Sequence, residues 1–211
     1  MKSSRLTTVV GVAFCLCLFS LPAHASTLFF YTSSPESWVG HGETVSVDPA
    51  LGFDFLVTRY FGNNLSFVIS DFSTNPDFQS RRSWSLDFAA PGNADLLPGI
   101  YLGAERFPFQ NAGQPGLSFA GNGRGDNTLT GQFTVLDAQY LPTGGLLSFA
   151  ADFIQYDEGR QEAWNSGGIR YNSEVPTTAT PEPAALTLLM TGLIVARARI
   201  VRTGRARNIR R

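Results

Sequence analysis

Short runs in which every second residue is apolar fill the centre of this chain, and they confine it to extended structure. In "LSFVIS" Leu65, Phe67 and Ile69 share one phase, and in "SWSLDF" Trp84, Leu86 and Phe88 alternate with Ser83, Ser85 and Asp87. "FDFLVTRYF" puts Phe53, Phe55, Val57 and Phe61 on one side, and "GLLSFAADFIQY" sets Leu147, Phe149, Ala151 and Phe153 against Ser148 and Asp152. A period of two gives a strand one dry face and one wet face. Turn formers separate the runs: Gly62-Asn63-Asn64, Asn75-Pro76-Asp77, Pro91-Gly92-Asn93 and Pro142-Thr143-Gly144-Gly145. The pattern predicts about ten strands, paired antiparallel in one all-β domain of sandwich or jelly-roll type. The frequent Phe residues are expected to fill the layer between two sheets. No internal repeat is present, which argues against propellers and solenoids.

The two ends are of a different kind. Lys2 and Arg5 precede an apolar run from Val9 to Leu21 and the small-residue triplet Ala23-His24-Ala25. Residues 1–25 therefore read as a secretory signal helix, cut after Ala25 and ahead of Ser26. Cleavage removes Cys15, Cys17 and His24, leaving His41 as the one histidine and no thiol. That inventory excludes a disulfide framework, a zinc cluster and a cysteine nucleophile. His41 lacks a Gly-x-Ser-x-Gly partner, so a serine-histidine site is not expected either.

At the other end a Thr- and Pro-rich linker, 174–180, leads to Pro181-Glu182-Pro183, an apolar stretch from Ala184 to Ala196, and a tail with seven Arg. Arginines are retained on the cytoplasmic side, so the body before them is exported. As a helix the 13 apolar residues span ~20 Å against ~30 Å of hydrocarbon. Snorkelling of Arg197 and Arg199 lengthens the span to 18 residues, or ~27 Å. Such a segment suits a transient anchor.

Pro-Glu-Pro, apolar segment and terminal Arg cluster, in that order over residues 181–211, resemble the PEP-CTERM sorting signal of Gram-negative bacteria. The resemblance implies processing by an exosortase near Pro181-Glu182-Pro183, after signal peptidase has acted at the N-terminus. It also implies a cell-envelope or extracellular location and association with extracellular polysaccharide.

The body between, 26–173, is of single-domain size. From Ser26 to Thr180 it carries seven Arg, no Lys and sixteen acidic residues, 7 − 16 = −9. That balance disfavours nucleic acid and anionic lipid and attracts divalent cations weakly.

"GNGRGDNTLTG" lies between two alternating runs, so it reads first as a strand connection, with Gly121, Gly123 and Gly125 free to take positive φ. Arg124-Gly125-Asp126 as an adhesion tripeptide is a weaker reading. A calcium site is the stronger alternative, drawing on Asn122, Asp126 and Asn127 as hard oxygen ligands. If strands 128–140 and 145–156 form a hairpin about Pro142-Thr143-Gly144-Gly145, Asp126 comes close to Asp157, which with Glu158 completes the calcium candidates. Two such carboxylates need a cation, an arginine (Arg124 or Arg160) or a shared proton.

Residues 121–173 also resemble an uncharacterised secreted bacterial module, through "GRGDNTLTG" and "GGIRYN". That resemblance implies the same strand pairing, with cysteines standing at the positions of Asp126 and Asp157 in relatives, and no activity.

The expected function is a non-catalytic exported surface or matrix protein, with Trp38, Tyr60, Tyr140 and Trp164 as glycan contacts. The alternative is a secreted carbohydrate-active hydrolase using Asp152, Asp157, Glu158 or Glu162, since glycosidases need two opposed carboxylates.

Overall fold

The computed structural model describes residues 25–59 and 63–177. Ala23, Tyr60 and Pro181-Glu182-Pro183 lie outside the described residues, as do the expected N-terminal and C-terminal helices. Among the described residues no helix is long and apolar enough to cross a membrane.

Ten strands account for the body: β1 (Ser26–Ser33), β2 (Thr44–Val47), β3 (Asp54–Thr58), β4 (Leu65–Ser70), β5 (Ser83–Ala89), β6 (Gly99–Arg106), β7 (Gly116–Gly121), β8 (Leu129–Tyr140), β9 (Leu146–Asp157) and β10 (Trp164–Ser173). They form one continuous sheet in the order β2-β1-β10-β9-β8-β6-β7-β5-β4-β3. All neighbours are antiparallel except β6 and β7, which run parallel over Glu105–Gly116 and Arg106–Leu117. That pair departs from the wholly antiparallel expectation. The 107–115 connection carries the chain back before β7 starts, which a two-residue hairpin could not do.

The sheet curls so that its two halves face each other. Phe29 of β1 packs 5.7 Å from Trp84 of β5, and Phe67 of β4 stacks 5.4 Å from Phe149 of β9. Tyr31 meets Phe119, and Phe88 meets Phe133. The alternating apolar residues of β4 and β5 are all buried, as their phase predicts. Both edge strands, β2 and β3, are short, which limits the unpaired backbone offered to another chain.

Leu147 departs from its phase. Gln139 pairs with Ser148 and Tyr140 with Leu146, so Leu147 has no partner and bulges outward, 48 % exposed. Phe149 beyond the bulge returns to the core. Leu147→Ser should therefore shift stability by less than about 0.5 kcal/mol, whereas Phe149→Ala should cost about 3–5 kcal/mol in thermal or urea unfolding. Equal losses at the two positions would contradict the bulge.

Ser26 pairs with Ser173, while Ser33 pairs with Asn165 at the other end of the same ladder. Chain entry and exit are thus neighbours. The turns 34–43, 122–128 and 158–163 gather at the opposite end of β1, β8, β9 and β10, about 35 Å along the β8–β9 hairpin from its 141–145 turn.

Candidate functional site

The 122–128 connection begins with a two-residue hairpin. Asn122 (φ 50°) and Gly123 (φ 77°) both take left-handed conformations, and Gly121 and Arg124 exchange two backbone hydrogen bonds of 2.9 Å. Asn-Gly is the sequence this primed turn favours. Asn122 Oδ1 accepts from Ser83 N at 3.1 Å, fixing the turn to the start of β5. The tripeptide Arg124-Gly125-Asp126 is not displayed, because Asp126 points inward and is buried.

Asp126 meets Asp157, as the hairpin register predicts. Asp157 is fully buried, and its Oδ2 accepts from Ser37 Oγ at 2.7 Å and Val39 N at 3.2 Å. Its Oδ1 accepts from Asn165 Nδ2 at 2.6 Å. Ser37 Oγ also lies 2.8 Å from Asn165 Oδ1, so its single proton serves one acceptor at a time. Asp126 Oδ2 accepts from Gln155 Nε2 at 2.8 Å, while its Oδ1 receives no donor among the described residues. With a proton on Asp126 that oxygen becomes a donor to Asp157, and the pair carries one charge instead of two.

Of the ways to neutralise the pair, the arginines are occupied elsewhere. Arg124 Nε donates to Val39 O at 3.0 Å, and its Nη2 lies 4.0 Å from Glu43. Arg160 reaches Glu36 O and Glu162. Burial, then the bond to Asp157 and the charges of Asp157 and Glu158, push the Asp126 carboxyl up to about 8, against a small opposing effect of Gln155.

A native state that holds this proton more tightly than the unfolded chain loses stability as pH rises. The gain is complete below about pH 4 and gone above about pH 8. Burial likewise raises Asp87 to about 6, so part of the decline belongs to it. Asp126→Asn keeps a donor toward Asp157 and an acceptor for Gln155 without the titration. In melts across pH, the variant should lose the upper part of the decline, between about pH 6 and 8, and be the more stable protein above pH 8. A profile identical to the parent's would refute proton sharing.

The remaining acidic candidates do not converge. Glu158 (φ 51°) turns its carboxylate back to Asn127 N at 2.8 Å and Thr128 Oγ1 at 2.7 Å, which, with the Arg106 charge nearby, holds it below the usual range. Asp152 lies five residues from Asp157 on the same strand, hence on the other face and about 17 Å away. It pairs with Arg170 at 2.8 Å. Glu162 is exposed beside Arg160. Among the described residues no group of three or more His, Cys, Asp or Glu is arranged to hold a metal.

The aromatic candidates divide between the two ends. Trp38 is 57 % exposed in the 34–43 turn, with the His41 ring 5.6 Å away. Trp164 is half-buried at the same end, where its backbone N–H donates to Ser34 Oγ. Tyr140 sits at the opposite end; its hydroxyl donates to Leu96 O, and Arg59 covers its ring at 5.1 Å.

Gln155, Ser37 and Asn165 complete the site and were not among the sequence candidates. Gln155 is fully buried and acts as a stand-in strand partner: Oε1 accepts from Phe119 N at 2.7 Å and Nε2 donates to Phe119 O at 3.0 Å. It thereby joins β9 to β7, which share no ladder. A signal for it existed, because Gln155 and Asp157 continue the inward phase of Phe149, Ala151 and Phe153. The site is thus a closed polar clamp that ties the 34–43 and 122–128 turns to β9 and β10 and leaves Trp38 outside it. No protein-family model, curated protein or solved structure matches this chain.

Proposed function

We propose that the chain is an exported, non-catalytic surface or matrix protein, delivered through a PEP-CTERM signal and associated with extracellular polysaccharide. The observation that carries this reading is the pairing of Ser26 with Ser173. An entry segment and an exit segment that leave side by side suit a body held at one membrane by both ends during export, before either is cut. The clamped turns then face away from the bilayer, and the acidic surface is repelled by anionic lipid. Trp38, exposed on a turn braced from beneath, supports a glycan contact at that far end. The curled sheet, with its aromatic layer between facing halves, fits the jelly-roll-like reading of the body.

Intact mass of the protein secreted by a host with signal peptidase and exosortase is the test. The expected mature chain starts at Ser26 and ends near Pro181. Full-length protein accumulating in the cytoplasm would overturn the reading. If a proton shared by Asp126 and Asp157 neutralises the pair, added calcium should leave the melting temperature within about 1 °C of the calcium-free value. A clear rise would mean that a cation replaces the proton.

A further inference from the structure

The loop joining β4 to β5, "DFSTNPDFQSRR", is built rather than slack. Asp71 Oδ1 accepts from Arg82 N at 2.8 Å and Asp71 N donates to Arg82 O at 3.2 Å, closing its base. Inside, Asn75 Oδ1 accepts from Asp77 N at 3.0 Å, Asp77 Oδ1 from Gln79 N at 3.1 Å, and Asn75 O from Arg81 Nε at 3.0 Å. This scaffold holds two large apolar rings in water: Phe72 is 50 % exposed and Phe78 74 % exposed.

The Arg81 guanidinium lies 5.6 Å from the centroids of both rings. Next to it Arg82 lies over Phe53 and Trp84, at 5.2 and 5.4 Å. The ion pairs among the described residues use Arg59, Arg124, Arg160 and Arg170, so neither Arg81 nor Arg82 has a carboxylate partner there. The nearby acids are engaged: Asp71 and Asp77 accept backbone N–H groups, and Asp54 accepts from Ser73. In a body of net charge −9, two adjacent guanidinium groups on aromatic rings, neither in an ion pair among the described residues, form a local exception. A guanidinium with unused Nη donors matches a carboxylate in two-pronged geometry, and an exposed ring accepts the C–H face of a sugar.

We infer that the 71–82 loop is a binding site for carboxylated polysaccharide, with Phe72 and Phe78 stacking against sugar rings and Arg81 and Arg82 pairing with uronate carboxylates. The site rests on the polysaccharide reading above and gives it a ligand class. Asn122, bonded to Ser83, places the loop at the end of the body away from Ser26 and Ser173.

The test is retention of the full-length protein on immobilised polygalacturonate, with dextran as the neutral comparison and phosphatidylglycerol vesicles as the anionic lipid one. Polygalacturonate alone should retain it, with retention falling as salt is raised. Arg81→Gln and Phe78→Ala should each weaken binding about tenfold or more, with unchanged melting. Phe109→Ala, an exposed ring outside this loop, should bind like the parent. Equal binding by parent, Arg81→Gln and Phe78→Ala would overturn the site, as would binding to the vesicles alone. Retention on dextran that is lost in Trp38→Ala and kept in Arg81→Gln would overturn the site but leave the polysaccharide reading standing. Failure to bind either polysaccharide would overturn both.

Discussion

Asp157→Ala is expected to remove about 3–5 kcal/mol of stability, since it strips the acceptor from several buried donors at once. Ser37 Oγ, Val39 N and Asn165 Nδ2 all point at this carboxylate, and Asp126, its carboxyl pushed up toward the protonated form, lies against it. The donors come from three segments, so the loss should loosen the 34–43 turn, the 122–128 turn and the start of β10 together. For a domain with a typical reserve of about 5–15 kcal/mol this is a large fraction. Urea unfolding at neutral pH measures it directly. A loss below about 1 kcal/mol would show that the turns do not depend on the clamp.

The second large effect lies on the outer face of the sheet. Arg170 is fully buried, with Nη1 2.8 Å from Asp152 Oδ1 and donating also to Ala151 O and Ile169 O. Its guanidinium lies 5.6 Å from the Phe30 ring centroid. Gly168 makes the arrangement sterically feasible, because a Cβ there would crowd Asp152 and the Phe30 ring. Asp152→Ala leaves a cation buried without its counter-charge and should cost about 2–4 kcal/mol. With Arg170→Met as the second arm, a double-mutant cycle should return a coupling near 2 kcal/mol. Additive losses would mean that Arg170 is held by the backbone carbonyls alone.

These two acids show how far sequence reasoning carries and where it stops. Alternation located β4 and β5 and their buried residues, because a strand's period is a local property. A strand connection at 121–131 followed from its turn formers, and the approach of Asp126 to Asp157 from a hairpin whose strands are consecutive in the chain. Partners brought together across the sheet order were another matter. Ser37 is 120 residues from Asp157, and only the β1–β10 ladder, closing the chain on itself, makes them neighbours. Naming Asp157 as an open ligand or catalytic acid overlooked its parity with Phe153, which points inward. Leu147 failed for the opposite reason, since a bulge resets parity without leaving a local mark. The exposed Phe72 and Phe78 were absorbed into the expectation that Phe fills the core, because composition does not tell a ring in the core from one held in water.

The adjacency of Ser26 and Ser173 also fixes how the body responds to tension. If its ends are drawn apart, the load falls on the first rung of the β1–β10 ladder and opens it one pair at a time, like a zipper. Drawn by both ends in the same direction, as a handle would be, the ladder carries no shear and stays shut.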